Sequence, residues 1–462
     1  MSIKDSIADS DLESLRAAID GQVFVPGLNG YDDARQAWNL AVEQRPAVVV
    51  EAGSAADVVQ TVRYARSNGI RIAPQGTGHG AAPLEPLDDA ILLRTGKMRQ
   101  VDIDSATRTA RAEAGALWQD VVAPAAEHGL AALAGSSPTV GVTGYTLAGG
   151  IGWLARRYGL AANSVTAAEL VTPDGDLVRA DADNEADLFW AVRGGGGVGV
   201  ITALEMRLYP VRELYAGSLL FPIERAAEIL HTWREWTATA PNKVTSMAHM
   251  VRVPPLPEVP EGLRGRAFTI VEAACLGDMD TGADVMQQLR RLDPELDTFN
   301  MIPASALGQL VMEPPEPIPY ESTGSFLVDF PSAAIDALVA VAGPDAESPP
   351  TTVEVRHLGG ALAHAAPNAG AQPTIDANFL LHAVGAAPTP ELARPMQAHV
   401  QAVDDALSSW HANYDPYNFR DSPASAAVVL PPGSYRRLQE IKATYDSDQL
   451  IISRHPVGPI QP

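Results

Sequence analysis

Pro74-Gln75-Gly76-Thr77-Gly78-His79-Gly80 sets one imidazole among three glycines, directly after the apolar run Ile70 to Ala73. Glycine lets a backbone approach a ligand closely and takes the left-handed conformations of tight turns. Successive backbone N–H groups in such a turn form an anion cradle that suits a pyrophosphate. His79 would then stand beside the ligand as a reactive ring; the plainer alternative is a solvated loop histidine. A second stretch, Gly135 to Trp153, holds six glycines interleaved with Val, Leu, Ile and Trp. Flexible linkers lack such apolar residues, so an ordered backbone around a flat ligand is expected. A third run, Gly194 to Gly199, matches G-x-G-x-x-G, but a helix is expected before it and a strand after it. That order is the reverse of a dinucleotide-binding unit, and a tight turn is what remains.

Proton chemistry has its own candidates. A strand expected over 374–384 puts Asn378, Leu380 and His382 on one face. An imidazole titrates near neutral pH and can act as a general base; a hydrogen-bonded core histidine is the alternative for His382. Tyr320, His249, Arg356 and His357 are further polar candidates. Glu354 and Arg356 share one face of a strand expected over 351–358 and read as an exposed ion pair. The ten histidines show no H-E-x-x-H spacing, so no metal site is expected.

These residues, in this order along nearly the whole chain, carry a resemblance. Gly78-His79 is followed by Ser137-Pro138-Thr139-Val140-Gly141 and by Leu147-Ala148-Gly149-Gly150-Ile151-Gly152. Arg193 then opens the glycines to Gly197, Asn418-Phe419 follows, and Tyr435, Leu438, Ile441, Lys442, Tyr445 and Asp446 close the pattern. Together they resemble the berberine bridge enzyme-like flavoproteins of the vanillyl-alcohol oxidase superfamily. The resemblance implies a two-lobed PCMH-type FAD-binding domain and FAD as cofactor, with His79 bonded to the flavin 8α carbon. Many members carry a second link from a cysteine where this chain has Ser137, so a single tether is implied. Cofactor contacts are implied at Gln75, Gly76, Thr77, Gly78, Gly80, Pro83, Ser136, Ser137, Val140, Gly141, Gly144, Tyr145, Gly149, Gly150, Gly152, Val200 and Asn418.

Val140 falls on the family's gatekeeper valine, which favours an oxidase. His382 falls on the family's catalytic glutamate. Pro416 replaces the family's cavity tyrosine, which leaves Tyr417 or Tyr414 as its substitute or the role unfilled; Val198 also departs from the asparagine often found there. The implied catalytic set is His382, Tyr417 and Asn378. The implied reaction moves a hydride from an alcohol or amine carbon of a small molecule, a secondary metabolite or sugar, to flavin N5, with O2 reduced to H2O2. The alternative within the resemblance is a monooxygenase or cyclase of secondary metabolism using a flavin–oxygen adduct. A flavin-binding protein without catalysis is the third reading.

The elements that must position these groups are legible in outline. Ser10 with Glu13 fits a capping box ahead of Leu12, Leu15 and Ile19. A strand at 47–50, a helix capped by Ser54 and Asp57 and closed by Gly69, and a strand at 70–73 deliver the His79 turn. Strands are expected within 90–113, over 165–179 about the turn Pro173-Asp174-Gly175, and over 200–209. Helices are expected over 117–128 and 186–192. Beyond Pro210 longer helices (223–238, 281–292, 331–341, 391–411) alternate with strands (215–221, 244–251, 267–275, 351–358, 374–384). The expected class is α+β: an FAD-binding domain over 1–210, a substrate domain over 211–411 whose antiparallel sheet is covered by helices, and a segment 412–462 that completes the first domain.

Composition bounds the partners. A chain of 462 residues is expected to form two or three domains. A net charge of −23 without a basic patch argues against nucleic acid or an anionic membrane. Cys275 is the single cysteine, so no intramolecular disulfide forms. No signal-peptide core and no run of 18 apolar residues are seen, so a cytoplasmic monomer or homodimer is expected, with a small molecule and O2 as its partners.

Overall fold

The computed structural model describes residues 9–460 except 85, 258, 312, 348 and 349, with side chains from Leu12 onward. The cap expected at Ser10 lies outside the described side chains. Three sheets organise the chain. The first joins β1 (Gln22–Phe24), β2 (Val48–Glu51), β3 (Arg71–Gln75) and β4 (Ala90–Arg94) in the order β1-β2-β4-β3. β2 and β3 both run parallel to β4, a geometry that requires a crossover. The helix Ala55–Asn68 supplies it, capped by the Ser54 side chain and closed by Gly69 at φ 63. Its Val58, Val62 and Ala65 are wholly buried.

The second sheet is antiparallel: β5 (Val101–Asp104), β6 (Thr109–Glu113), β7 (Val165–Val171), β8 (Leu177–Asp181) and β9 (Val200–Arg207), ordered β5-β6-β9-β7-β8. Its core takes Trp118 from the helix Trp118–Glu127 and Leu438 and Ile441 from the helix Pro432–Tyr445. The quadruple glycine is a tight turn, with Gly194, Gly196 and Gly197 at φ 101, 61 and 73. Lys442 Nζ, buried against Asp446 at 2.6 Å, also donates to the carbonyls of Gly197 and Ile451. One ammonium thus ties the C-terminal helix to that turn.

The third sheet has eight antiparallel strands: β10 (Glu213–Pro222), β11 (Val244–Arg252), β12 (Ala267–Cys275), β13 (Leu296–Asp297), β14 (Asn300–Pro303), β15 (Tyr320–Leu327), β16 (Thr352–His357) and β17 (Phe379–Ala386). The order is β13-β10-β12-β11-β16-β17-β15, with β14 also on β10. Helices Ala226–Thr237, Met279–Arg290, Ser332–Ala342 and Pro390–Ala406 bury one face through residues such as Trp233, Met286, Leu338 and Val403. The opposite face packs on the segment that holds Trp153, Leu154, Ala155 and Leu160. β15 was not expected, because Tyr-Glu-Ser-Thr-Gly-Ser offers no apolar run; pairing along all of β17 makes it a strand. The strand expected from 374 begins at Phe379 instead. Among the described residues no helix is long and apolar enough to cross a membrane.

Burial gives the fold a pH dependence. His357 is pushed down to about 3 by burial and by the Arg156 guanidinium, and His455 to about 3 by burial and by Arg454. Both stay neutral when folded, whereas an unfolded histidine takes up a proton below about 6.5. Stability is therefore lost as pH falls from about 6.5 toward 3, by roughly 1.4 kcal/mol per pH unit for each ring. Denaturant titrations at pH 7 and pH 5 should show a lower midpoint at pH 5; equal midpoints would contradict neutral burial of these rings.

Candidate functional site

The chain leaves the first sheet at Gln75 and turns at once. Gly78 has φ 85, and a Cβ there would stand 2.9 Å from Ala37 Cα, so this turn admits only glycine. The turn presents His79, whose Nδ1 lies 2.8 Å from Thr77 Oγ1. Among the described residues Nε2 has no hydrogen-bond partner. The Trp38 indole stacks on the imidazole at 4.3 Å with 16° between planes. Burial pushes His79 down to about 3, so the ring is neutral. A neutral imidazole with one ring nitrogen unpaired is a nucleophile.

The glycine-rich segment lies against this turn: a Cβ on Gly141 would meet the Thr77 side chain at 3.6 Å. Gly141 leads into the short helix Val142–Leu147, and Gly149 and Gly150 follow at φ 95 and 79. A Cβ on Gly152 would fall 1.9 Å from the Ala134 carbonyl oxygen, whereas one on Gly144 would meet nothing within 4 Å. Between and beside these glycines, Gln75 Oε1 and Nε2, Thr143 Oγ1, Tyr145 OH and Thr146 Oγ1 are buried without a partner. Buried polar atoms are ordinarily satisfied. A turn with a free imidazole, open space over glycine and unpaired donors and acceptors fits a flat ligand with polar edges, as the isoalloxazine of FAD is. Asn418 donates to the Tyr145 carbonyl at 3.2 Å, and Arg454 holds the Asn418 carbonyl and lies over Gly80, so the C-terminal segment closes the same site.

The third sheet brings a charged strip to this segment. Register places His249, Glu354 and His382 side by side across β11, β16 and β17. Arg356 donates to Glu354 Oε1 at 2.8 Å, and His382 Nδ1 lies 3.1 Å from the same oxygen. Burial alone would raise Glu354, but Arg356, His382 and His249 outweigh it and hold the carboxyl at about 2. His249 Nε2 stands 3.6 Å from Glu272. Burial lowers His249, but the Glu272 and Glu354 carboxylates together outweigh it and leave the ring above its ordinary value. Arg356 reaches Ser136 Oγ at 3.4 Å and lies 4.9 Å over the Phe419 ring, which also meets His382 edge-on at 5.0 Å. A small cavity of about 20 Å³ opens beside Arg356, between Ser136, Trp153, Met247 and Leu358.

Several expectations change here. Glu354 and Arg356 are not an exposed pair; they are 4% and 9% exposed, because the second face of the sheet is covered by the glycine-rich segment rather than by water. Asn378 precedes the strand, is exposed, and donates to the Val328 carbonyl, so it does not share the face of His382. Tyr417 is buried in the core under the second sheet, edge-on to His455 at 5.0 Å; two residues on, Phe419 reaches the strip instead. Val200 has its side chain wholly in the core between the first two sheets. Ser136 and Ser137 are buried, with Ser137 Oγ 3.1 Å from Thr139 Oγ1, and Pro83 is buried beyond the turn. Trp38 escaped notice because a lone tryptophan in a coil carries no periodic signal. The burial of Glu354 carries no local signal, because Val353 and Val355 alternating with charges read as a half-buried strand whose charged face meets water.

Residues 46–181 match a family described as the FAD binding domain. The chain carries an FAD-binding domain. A curated relative, "(R)-6-hydroxynicotine oxidase" of Paenarthrobacter nicotinovorans, is 39% identical over 202 residues, 43% of this chain and 44% of that protein. The chain spans about half the length of the first curated relatives it matches. Solved structures extend the likeness to the whole fold. BBE-like 1 of Physcomitrella patens superposes with a TM-score of 0.84 at 18% identity, covering 97% of this chain and 99% of that one. The 6-hydroxy-D-nicotine oxidase of Arthrobacter nicotinovorans does so with a TM-score of 0.78 at 25% identity, covering 94% and 96%. The fold of the whole chain is therefore the fold of these solved structures.

Proposed function

We propose that the protein is an FAD-linked oxidase that takes a hydride from an alcohol or amine carbon of a small molecule and returns the electrons to O2 as H2O2. The observation that carries this reading is the buried Arg356–Glu354–His382 chain, set on the one sheet face that meets the FAD-binding segment. Bound FAD supplies the hydride acceptor. The backbone of Gly76–Gly80 and of Gly141–Gly152 would hold it, with Gln75, Tyr145 and Thr146 satisfying their buried polar atoms on its edges. His79 anchors it through Nε2, since Thr77 engages Nδ1. Ser137 provides no thiol for a second link.

His382 serves as the base. Its Nδ1–H donates to Glu354, which leaves the Nε2 lone pair to take the O–H or N–H proton of the substrate. Arg356 keeps Glu354 ionised, so the acceptor for Nδ1–H is always present. This is the orienting logic of a carboxylate behind a catalytic imidazole. Phe419 packs against the ring in an edge-on contact at 5.0 Å.

Anaerobic mixing with a panel of alcohols, sugars and amines, 6-hydroxynicotine among them because a relative bears that name, tests the reading. At least one compound should bleach the flavin absorbance, and admitting air should restore it with one equivalent of H2O2. No bleaching by any compound, or oxygen incorporated into the product without peroxide, would overturn it.

A further inference from the structure

We propose that Trp38 is a positioning residue for attachment of FAD to His79, presenting Nε2 to the flavin methyl carbon. The inference rests on the reading of His79 as the anchor. An imidazole on a rotatable stem has a broad two-fold choice of ring orientation. Two contacts remove that choice here. Thr77 Oγ1 takes Nδ1, and the Trp38 indole lies flat on the ring at 4.3 Å and 16°.

The tryptophan is itself fixed. Its backbone N–H donates to the Thr77 carbonyl at 3.1 Å, and Ala37 fills the space that only a glycine at 78 leaves open. The next residue, Asn39, makes a two-way bond with the backbone of Tyr320, donating to its carbonyl at 2.9 Å and accepting from its N–H at 3.1 Å. Leu40 N–H donates to the Ile318 carbonyl. A short strap, residues 37–40, thus ties the anchor turn to the start of β15, on the sheet that carries His382. The anchor is aligned by the same chain segment that docks the two halves of the protein.

The step balances as follows. One C–H bond of the 8α methyl and the imidazole N–H bond break, the Nε2–C bond forms, and O2 accepts the two protons and two electrons released, as H2O2. Bond formation of this kind depends steeply on the angle and distance of approach, and misplacement by an ångström costs about 100-fold. Trp38 supplies that alignment and no proton or electron.

The test compares total bound flavin with flavin that stays on the polypeptide after acid denaturation. Both are followed over time with added FAD in air for the unaltered protein, Trp38→Phe and Trp38→Ala. Trp38→Phe should keep the stacked plane and the covalent yield. Trp38→Ala should bind FAD yet acquire acid-stable flavin about 100-fold more slowly. If Trp38→Ala does not fold, Trp38→Leu, which keeps bulk but no ring face, takes its place with the same expectation. An unchanged rate in the alanine or leucine variant overturns the inference while leaving His79 as anchor. Absence of acid-stable flavin in the unaltered protein overturns the anchor itself.

Discussion

His382→Ala is expected to slow substrate reduction of the flavin by roughly 10²- to 10⁴-fold, the usual contribution of a positioned general base. FAD content should not change, because His382 lies on β17 in the third sheet and the contacts proposed for the cofactor come from the His79 turn and the glycine-rich segment. The loss should appear in the limiting rate of anaerobic reduction more than in substrate affinity, since the proton moves only as the C–H bond breaks. The Glu354 side chain should remain folded in place in this variant, since Arg356 still neutralises it. Stopped-flow reduction checks this directly; a limiting rate within a factor of three or so of the unaltered protein would remove His382 from the proton step.

His79→Ala is expected to abolish acid-stable flavin altogether, because Ser137 offers no alternative nucleophile. FAD should still bind, through the glycine backbone and the polar atoms of Gln75, Tyr145 and Thr146, but it should be lost on dialysis. Oxidation should be slower when FAD is restored. The fold should survive, since His79 is only half buried and packs on one indole face. Absorbance of the filtrate after acid precipitation measures the outcome, and acid-stable flavin persisting in this variant would place the link elsewhere.

Much of the FAD-binding half was legible in sequence because its signals are local. Ser54 and Gly69 cap a helix by rules that need no tertiary context, and the His79 turn follows from glycine spacing. The quadruple glycine was separable from a dinucleotide fingerprint by the order of the elements on either side. The second half was legible as a class, four helices on one face of an antiparallel sheet, but its buried charged strip was not. Whether Glu354 and Arg356 meet water depends on what covers the far face of β16, and that cover comes from residues about 200 positions earlier. Asn378 shared the two-residue period of His382, yet the strand starts one residue after it. Tyr417 and Phe419 differ by two positions in a tight loop, where no period says which ring turns to the cavity. β15 forms from a polar sequence only because β17 offers a full ladder to pair with. Trp38 reaches His79 across 41 residues by a strap with no periodic pattern at all.

The proposed bond at His79 is tested most directly on the peptide that would carry it. The protein is denatured in acid, digested, and its peptides are weighed. The peptide that contains His79 should carry the added mass of FAD less two hydrogens and the yellow absorbance, and no other peptide should carry either. Flavin recovered wholly in the acid supernatant, or a flavin mass on a peptide without His79, would contradict the account.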